Sequence, residues 1–246
     1  EGFVPGEGYF GKNNGRHGGK AFKNIAKGEF SVNCSNDHEL FVFMREQLSS
    51  SLLSDALDEI GLRAQTMREN IRPCWRGAVV AGRAHTAAYA GVYDVTTKRD
   101  PANALTLMDS LQPDEVAVLT ANGSSNGTLW AEMMSIAAQK LEVAGVVVDG
   151  LLRDVKEIED LQCPGFGRRA RPLTVKGRMR LVAHNVPVDC GGVLVRPGDV
   201  VFGDLDGIVV VPKENLDDVV SLAVSLRDKE NDTREKLLSG ISMGKL

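Results

Sequence analysis

Four polar residues near the middle of the chain, Glu132, Arg153, Asp154 and Glu157, have the types and spacing to do chemistry together. Arg153 and Asp154 follow the apolar run Gly145-Val-Val-Val-Asp149, and a helix is predicted from about Asp154 to Leu161. In open α/β sheets ligands bind at the carboxyl ends of strands, which is where this pair falls. Arg153 offers a planar fork for a carboxylate. Asp154 offers hard oxygens suited to Mg²⁺ or Mn²⁺. The same residues have a second use: Asp154-x-x-Glu157 is also a helix-capping box, the commoner meaning of such a pattern.

The other half of the candidate site lies upstream. Gly127-Thr-Leu-Trp130 leads into a helix predicted over 131–141. The N–H groups of a first helical turn bind anions. Glu132 sits in that turn, either to orient a water or take a proton near Arg153, or to complement the helix dipole. Met133, Met134, Ala137, Ala138 and Leu141 share one face, which predicts plain core packing for the methionines.

The surrounding elements alternate. Phe41 to Ile60 has helical spacing, with a break or cap at Ser54 or Asp55 and a stop at Gly61. Strands are predicted at 77–82, continuing toward Tyr89, and at 116–120 and 145–149, with Asp149-Gly150 as a turn. Short strands fill 186–211, and 213–238 reads as a long helix with a break near Asn231. Residues 1–38 are expected to be a flexible Gly-rich arm, or an arm lying on a neighbouring subunit. Residues 39–246 then form one domain.

Other motifs are weaker. Gly15-Arg-His-Gly-Gly-Lys20 lacks the spacing and the Ser or Thr of a phosphate loop. Gly165-Phe-Gly-Arg-Arg-Ala170 loosely fits a dinucleotide fingerprint, but Pro172 stands where a helix should run. Arg168, Arg169 and Arg171 form a solvated basic turn or line a pocket for a second carboxylate. Asp204-x-Asp206-Gly207 suits a tight turn, and His85 a structural place on a strand. Cys34, Cys74, Cys163 and Cys190 form no C-x-x-C pair and are expected as reduced thiols.

Hydrophobic residues make up 43% of the 246 and charged residues 25%, which excludes a disordered or fibrous chain. The net charge of -4 is a poor basis for nucleic-acid binding. No apolar run is long enough to span a bilayer. The opening EGFVPGEGYF shows no basic start before an apolar stretch, so a cytoplasmic location is expected.

Taken together, Glu132, Arg153-Asp154 and Glu157 at this spacing resemble the 4-hydroxy-4-methyl-2-oxoglutarate aldolase family, which shares its fold with the regulator of ribonuclease E activity. Leu53-Ser-Asp-Ala-Leu-Asp-Glu-Ile-Gly61, Val146-Val-Val-Asp-Gly-Leu-Leu-Arg-Asp154, the stretch 186–199 and Gly203-Asp-Leu-Asp-Gly-Ile-Val-Val-Val-Pro212 agree in order. The resemblance spans roughly residues 45–240.

It implies a single α/β domain, layered β/β/α, like the swivelling phosphohistidine-domain fold. It implies a class II lyase that uses Mg²⁺ or Mn²⁺, cleaves a 2-oxo acid to pyruvate and decarboxylates oxaloacetate. By position, Asp154 anchors the metal through a water-rich shell, and Arg153 binds the substrate carboxylate or C2 oxygen. Backbone amides at Met133 and Met134 hold the pyruvyl carboxylate, and Glu132 positions a water. A glutamate from an adjacent subunit's last helix, Glu230 or else Glu235, completes the site of a homotrimer or homohexamer. The resemblance leaves a second reading, a non-catalytic protein that binds and regulates a ribonuclease; such members lack an aspartate matching Asp154. Two departures stand out: Ala131 where many relatives have glycine, and Pro113-Asp-Glu115 where Pro-Gly-Asp is usual.

Overall fold

The computed structural model describes residues 34–93 and 101–246, without the side chains of 101–105. Of the expected arm, residues 1–33 lie outside the described residues, whereas Asp37 and His38 already belong to a helix. Two helices, α1 (Asp37–Gln47) and α2 (Ser50–Glu59), replace the single one expected over 41–60. The break falls at Leu48 and Ser49 because Ser49 caps α2, its hydroxyl accepting from Leu52 N at 3.2 Å. Ser54 and Asp55 lie inside α2. Gly61, at φ +84°, ends the helix as its type implies.

The strands are β1 (Arg72–Pro73), β2 (Val80–Gly91), β3 (Glu115–Thr120), β4 (Thr128–Trp130), β5 (Gly145–Leu152) and β6 (Gly165–Ala170). Then come β7 (Met179–His184), β8 (Val188–Cys190), β9 (Val193–Val195), β10 (Val200–Asp204) and β11 (Gly207–Val211). Between them lie α3 (Pro101–Ser110), α4 (Glu132–Lys140) and α5 (Val155–Asp160), and α6 (Leu216–Leu238) follows the last strand. α3 and the strands β1, β4, β6 and β7 have no counterpart in the sequence reading. α6 runs unbroken through Asn231.

Nine strands make one mixed sheet in the order β1-β6-β5-β3-β2-β10-β11, with β4 beside β5 and β7 beside β2. The β2–β3, β3–β5, β4–β5 and β5–β6 pairs are parallel. The sheet curls until its ends nearly meet. Residues 65–67 bond along β11, through Met67 N to Ile208 O and Val210 N to Gln65 O, both 2.9 Å. A few residues on, Arg72 and Pro73 pair with β6. The segment 65–73 thus straps the two ends into a barrel-like form.

Alternation along the strands sorts side chains to the two faces of this curl. Val80, Val116, Val118, Val147, Val201, Ile208 and Val210 point into the lumen, where the β8–β9 hairpin adds Val188, Cys190, Val193 and Val195. Ala81, Val200, Phe202, Val209 and Val211 face outward under α1, α2 and α6. Ala117, Leu119, Val146 and Val148 face outward under α3, α4 and α5. The expected α/β class therefore holds, as a mixed sheet wrapped by helices. None of the described helices is long and apolar enough to cross a membrane.

β5 does not turn at Asp149-Gly150 as expected but runs on to Leu152. The reason is Asp149 itself, whose carboxylate is wholly buried. It accepts from Arg168 Nε and, at 3.1 Å, from Gly191 N, so no polar group is left to draw the chain toward water. Arg168 accordingly lies on a strand, paired inside, and is no solvated basic turn.

Candidate active site

The parallel strands β4, β5 and β6 end side by side, Trp130 in register with Leu152 and Leu152 with Ala170. Just past these ends, Arg153 N donates to Trp130 O (3.2 Å) and Arg171 N donates to Leu152 O (2.9 Å). Ala131-Glu132, Arg153-Asp154 and Arg171 therefore leave the sheet together. Glu132, Arg153, Asp154, Met133 and Met134, singled out in the sequence, share this edge. Glu157 is exposed on α5 one turn further on.

Asp154 stands at the N-cap position of α5, its carbonyl accepting from Ile158 N at 2.9 Å, but its side chain does no capping. It adopts the left-handed conformation (φ 56°, ψ 43°) directly before α5, and its side chain makes no capping hydrogen bond. Its carboxylate instead lies 3.5 Å from Arg153 Nε, with both side chains partly open to solvent. A left-handed non-glycine residue costs roughly 1 kcal/mol, least for Asp and Asn. Such strain collects where a side chain must be aimed for a task other than packing.

The first turn of α4 is open. Ala131 at its cap is extended (φ −157°) and brings no side-chain oxygen. The first helical bond runs from Ser135 N to Ala131 O (3.2 Å), so the N–H groups of Glu132, Met133 and Met134 are left to a ligand or water. Any residue accepts that extended φ, so alanine in place of glycine changes no backbone there. The turn is held by Trp130, whose fully buried indole N–H donates to Ser135 Oγ at 2.8 Å. The sequence reading passed over Trp130 and Ser135; an indole and a hydroxyl five residues apart across a strand-to-helix junction was the available signal. Met133 is 65% exposed at this open end, which overturns its expected place in the core.

The donor set is sparse. Among the described residues no group of three or more His, Cys, Asp or Glu could hold a metal. One carboxylate at Asp154 with a second at the neighbouring strand end, Glu132, suits Mg²⁺ or Mn²⁺, which keep much of their water shell. It does not suit zinc, which takes three or four protein ligands, mostly His or Cys. Glu230 and Glu235 are exposed on the outer half of α6, which packs with α2 in the other helical layer. Within one chain neither is drawn toward Arg153.

The remaining candidates are structural. His85 is buried, with Nδ1 3.0 Å from Glu115 Oε2 and Nε2 3.1 Å from Ser110 Oγ. Asp204 takes Ser50 N and Ser50 Oγ at the start of α2, and Leu205-Asp206 is the tight turn expected. The four cysteines are free. Burial pushes the Cys163 thiol up to about 11 and Cys74 up to about 12, so both stay protonated and unreactive near neutrality.

The family described as RraA-like, Aldolase/RraA, matches residues 50–210. Protein DlpA of Legionella pneumophila is 28% identical over 197 residues, covering 79% of this chain and 31% of DlpA. The MJ0644 protein of Methanocaldococcus jannaschii is 38% identical over 125 residues, 51% of this chain and 60% of that protein. The chain thus spans less than two thirds of either. A Halalkalibacterium halodurans protein named "Putative 4-hydroxy-4-methyl-2-oxoglutarate aldolase" is 29% identical over 199 residues, 81% of this chain and 89% of its own. Streptomyces coelicolor RraAS2, described as an unusual member of the RNase ES inhibitor RraA protein family, superimposes with a TM-score of 0.74. It is 28% identical, and the match covers 81% of this chain and 98% of that one. A curled mixed sheet, an open helix end beside Arg153-Asp154 and a family match over most of its length make this chain a member of the RraA-like aldolase family.

Proposed function

We propose that the chain is a divalent-metal-dependent lyase that cleaves a 2-oxo acid, such as 4-hydroxy-4-methyl-2-oxoglutarate, to pyruvate, and also decarboxylates oxaloacetate. The observation that carries this is Asp154, held in a strained conformation with its carboxylate free of capping duty, beside Arg153 and an open helix end.

Asp154 would hold Mg²⁺ or Mn²⁺, with Glu132 nearby through water. The ion supplies Lewis-acid polarisation of the 2-oxo group. The open amides at Met133 and Met134 bind the carboxylate of the pyruvyl end. Arg153 stabilises the negative charge that grows on the C2 oxygen as the bond beta to the ketone breaks. Glu132 orients a water that takes the C4 hydroxyl proton as the C3–C4 bond breaks and returns a proton to C3 of the three-carbon fragment; with oxaloacetate C4 leaves as CO₂ and only the return to C3 is needed. Glu230, or Glu235, reaches the site from an adjacent copy in a homotrimer or homohexamer, which accounts for its exposure on the outer half of α6. The layered β/β/α description goes with this reading, the β8–β9 hairpin standing as the smaller sheet inside the curl of the larger. The place of action is the cytoplasm, on small acids, with neither nucleic acid nor membrane as partner.

The test is pyruvate release from oxaloacetate and from 4-hydroxy-4-methyl-2-oxoglutarate, with Mg²⁺ or Mn²⁺ and with EDTA. Turnover that appears with metal and vanishes with chelator is expected. No metal-dependent turnover of either acid overturns the proposal.

A further inference from the structure

His85 is buried on β2 beneath the end of α3, and each of its ring nitrogens faces one group. Nδ1 lies 3.0 Å from Glu115 Oε2, and Nε2 lies 3.1 Å from Ser110 Oγ. The same Glu115 oxygen also accepts from Gln112 N at 2.9 Å, as an ionised carboxylate does. A carboxylate only accepts, so Nδ1 carries a proton. The Ser110 hydroxyl has one proton to give, and it goes to Leu107 O at 2.7 Å, the shorter of its two contacts. Ser110 Oγ therefore turns a lone pair to Nε2, which carries a proton as well. With both nitrogens protonated, His85 is an imidazolium. The order Ser110, His85, Glu115 is that of a hydrolase triad, but here the base already holds its proton and the serine proton is spent on a helix carbonyl, so no nucleophile is made.

A second imidazole lies on the first. His184, at the end of β7, stacks on His85 with ring centres 5.9 Å apart and planes 14° from parallel. Its Nδ1 is buried and, among the described residues, has no hydrogen-bond partner. A buried N–H with nothing to accept it is costly, so the ring keeps its one proton on Nε2 and stays neutral. The surroundings hold one carboxylate for the two rings. Glu115, from β3, is taken by His85. On β2 itself Arg83 turns to Asp37 of α1, and Asp114, just before β3, is held by His38. On α3 Asp109 is exposed, and on β7 Arg180 is exposed. Among the described residues none of these carboxylates pairs with His184. A proton added at His184 Nδ1 would thus set two like charges 5.9 Å apart with little water between them, and would create a donor without an acceptor.

We propose that the stacked pair is an acid-operated clasp joining β2, α3 and β7. Charged His85 and neutral His184 keep β7 closed on β2, and a second proton, on His184, opens it. The pair stands where the ladder can yield. His184 is in register with Ala87 on the last rung of β7, beside a register shift between Ala88 and Tyr89. The chain just beyond is fixed, Asn185 N donating to Thr86 O at 2.7 Å, so repulsion in the stack falls on the irregular rungs. β7 also connects two further parts of the fold, the segment 171–178 before it and the β8–β9 hairpin after it, whose Gly191 N serves the buried Asp149. Opening at His184 therefore loosens both. The clasp is independent of the lyase reading.

The experiment follows the histidine ring nitrogens of the full chain by long-range proton–nitrogen NMR, with amide hydrogen exchange alongside, from about pH 7.5 to about pH 5, the span in which histidine ordinarily changes charge. His184→Phe is measured beside wild type, since it keeps a flat ring in the stack and takes no proton. At the upper end His85 should show protons on both nitrogens and His184 a bare Nδ1, the latter signal vanishing in His184→Phe. As the pH falls, exchange over β7, corrected for its intrinsic pH dependence, should quicken about tenfold while β10 and β11 stay protected. His184→Phe should abolish the quickening. A neutral His85 at the upper end, or β7 exchange unmoved by acid, overturns the clasp from wild type alone, even if the variant folds poorly. Acid opening that persists in folded His184→Phe overturns it too.

Discussion

The amide of Arg153 donates to the carbonyl of Trp130 across 3.2 Å, so one hydrogen bond joins the strand that carries the cation to the strand that feeds the open helix. Side chain and amide cradle are thereby set by backbone, with no loop between them to loosen the geometry. Substrate groups held by both would be oriented before any bond breaks, which is where a large part of a catalytic barrier can be removed.

Arg153→Lys keeps the charge and loses the fork. Folding should be unaffected, because the Arg153 side chain is partly exposed and, among the described residues, pairs by charge with Asp154 alone. Turnover of oxaloacetate should fall about a hundredfold, roughly 3 kcal/mol of lost charge stabilisation. Steady-state rates near wild type would remove Arg153 from the reaction.

At Asp154 the left-handed backbone separates conformation from chemistry. Asp154→Asn tolerates φ 56° about as well and should keep its melting temperature while losing metal-dependent activity. Asp154→Ala should lose activity and also roughly 1 kcal/mol of stability to left-handed strain. Asp154→Gly should lose activity without that strain. Thermal melts with pyruvate assays on the three variants check the order, and an active Asn variant would move the metal elsewhere.

Ser135→Ala should leave the buried indole N–H of Trp130 without an acceptor. The expected loss is about 1–3 kcal/mol by denaturant titration. Because Ser135 fastens the turn proposed to hold the substrate carboxylate, KM should rise more than kcat falls. A Ser135→Ala protein as stable as wild type would show that the indole bond does not hold the turn.

Asp149→Asn breaks an ion pair whose carboxylate is wholly buried and leaves Arg168 without its counter-charge. A loss of about 3–5 kcal/mol is expected, measured by urea unfolding. A replacement that removes both charges, Asp149→Asn with Arg168→Met, should recover part of it.

Acid should weaken the tie between α1 and β2. A hydrogen bond from Arg83, aided by its charge and opposed by partial burial, holds the Asp37 carboxyl below the usual range. Its stabilisation is complete above about pH 4, the ordinary aspartate value, and is lost as pH falls through the lowered one. Asp37→Asn should therefore lower the melting temperature modestly near pH 7, as for a partly exposed pair, and flatten the profile in that acid window, where the two proteins converge.

The placing of the candidate residues on one edge was legible because they are adjacent in sequence to strand ends. Arg153-Asp154 follows an unmistakable apolar strand, and Glu132-Met133-Met134 opens a helix. What misled the reading was side-chain satisfaction at a distance. Asp149-Gly150 is turn chemistry until Arg168 and Gly191 arrive from far along the chain to pair the carboxylate. Asp154-x-x-Glu157 is a capping box until the backbone at Asp154 turns left-handed. Ser54 and Asp55 resembled a break because the true cap, Ser49, lies in a run of serines.

The strap at residues 65–73 also sets an order of events for the nascent chain. Its partners on β6 and β11 are made long after it: Arg72 NH1 ends up 2.6 Å from Asp206 O, 134 residues downstream. Contacts so distant in sequence form slowly, since a long loop must close before they reward it. Until then the edges of β6 and β11 stay unpaired and open to strand addition by other chains. Weakening the strap, for instance by proline at Met67, whose N–H serves Ile208, would tell first in yield and solubility during synthesis, before it told in the activity of molecules that had closed.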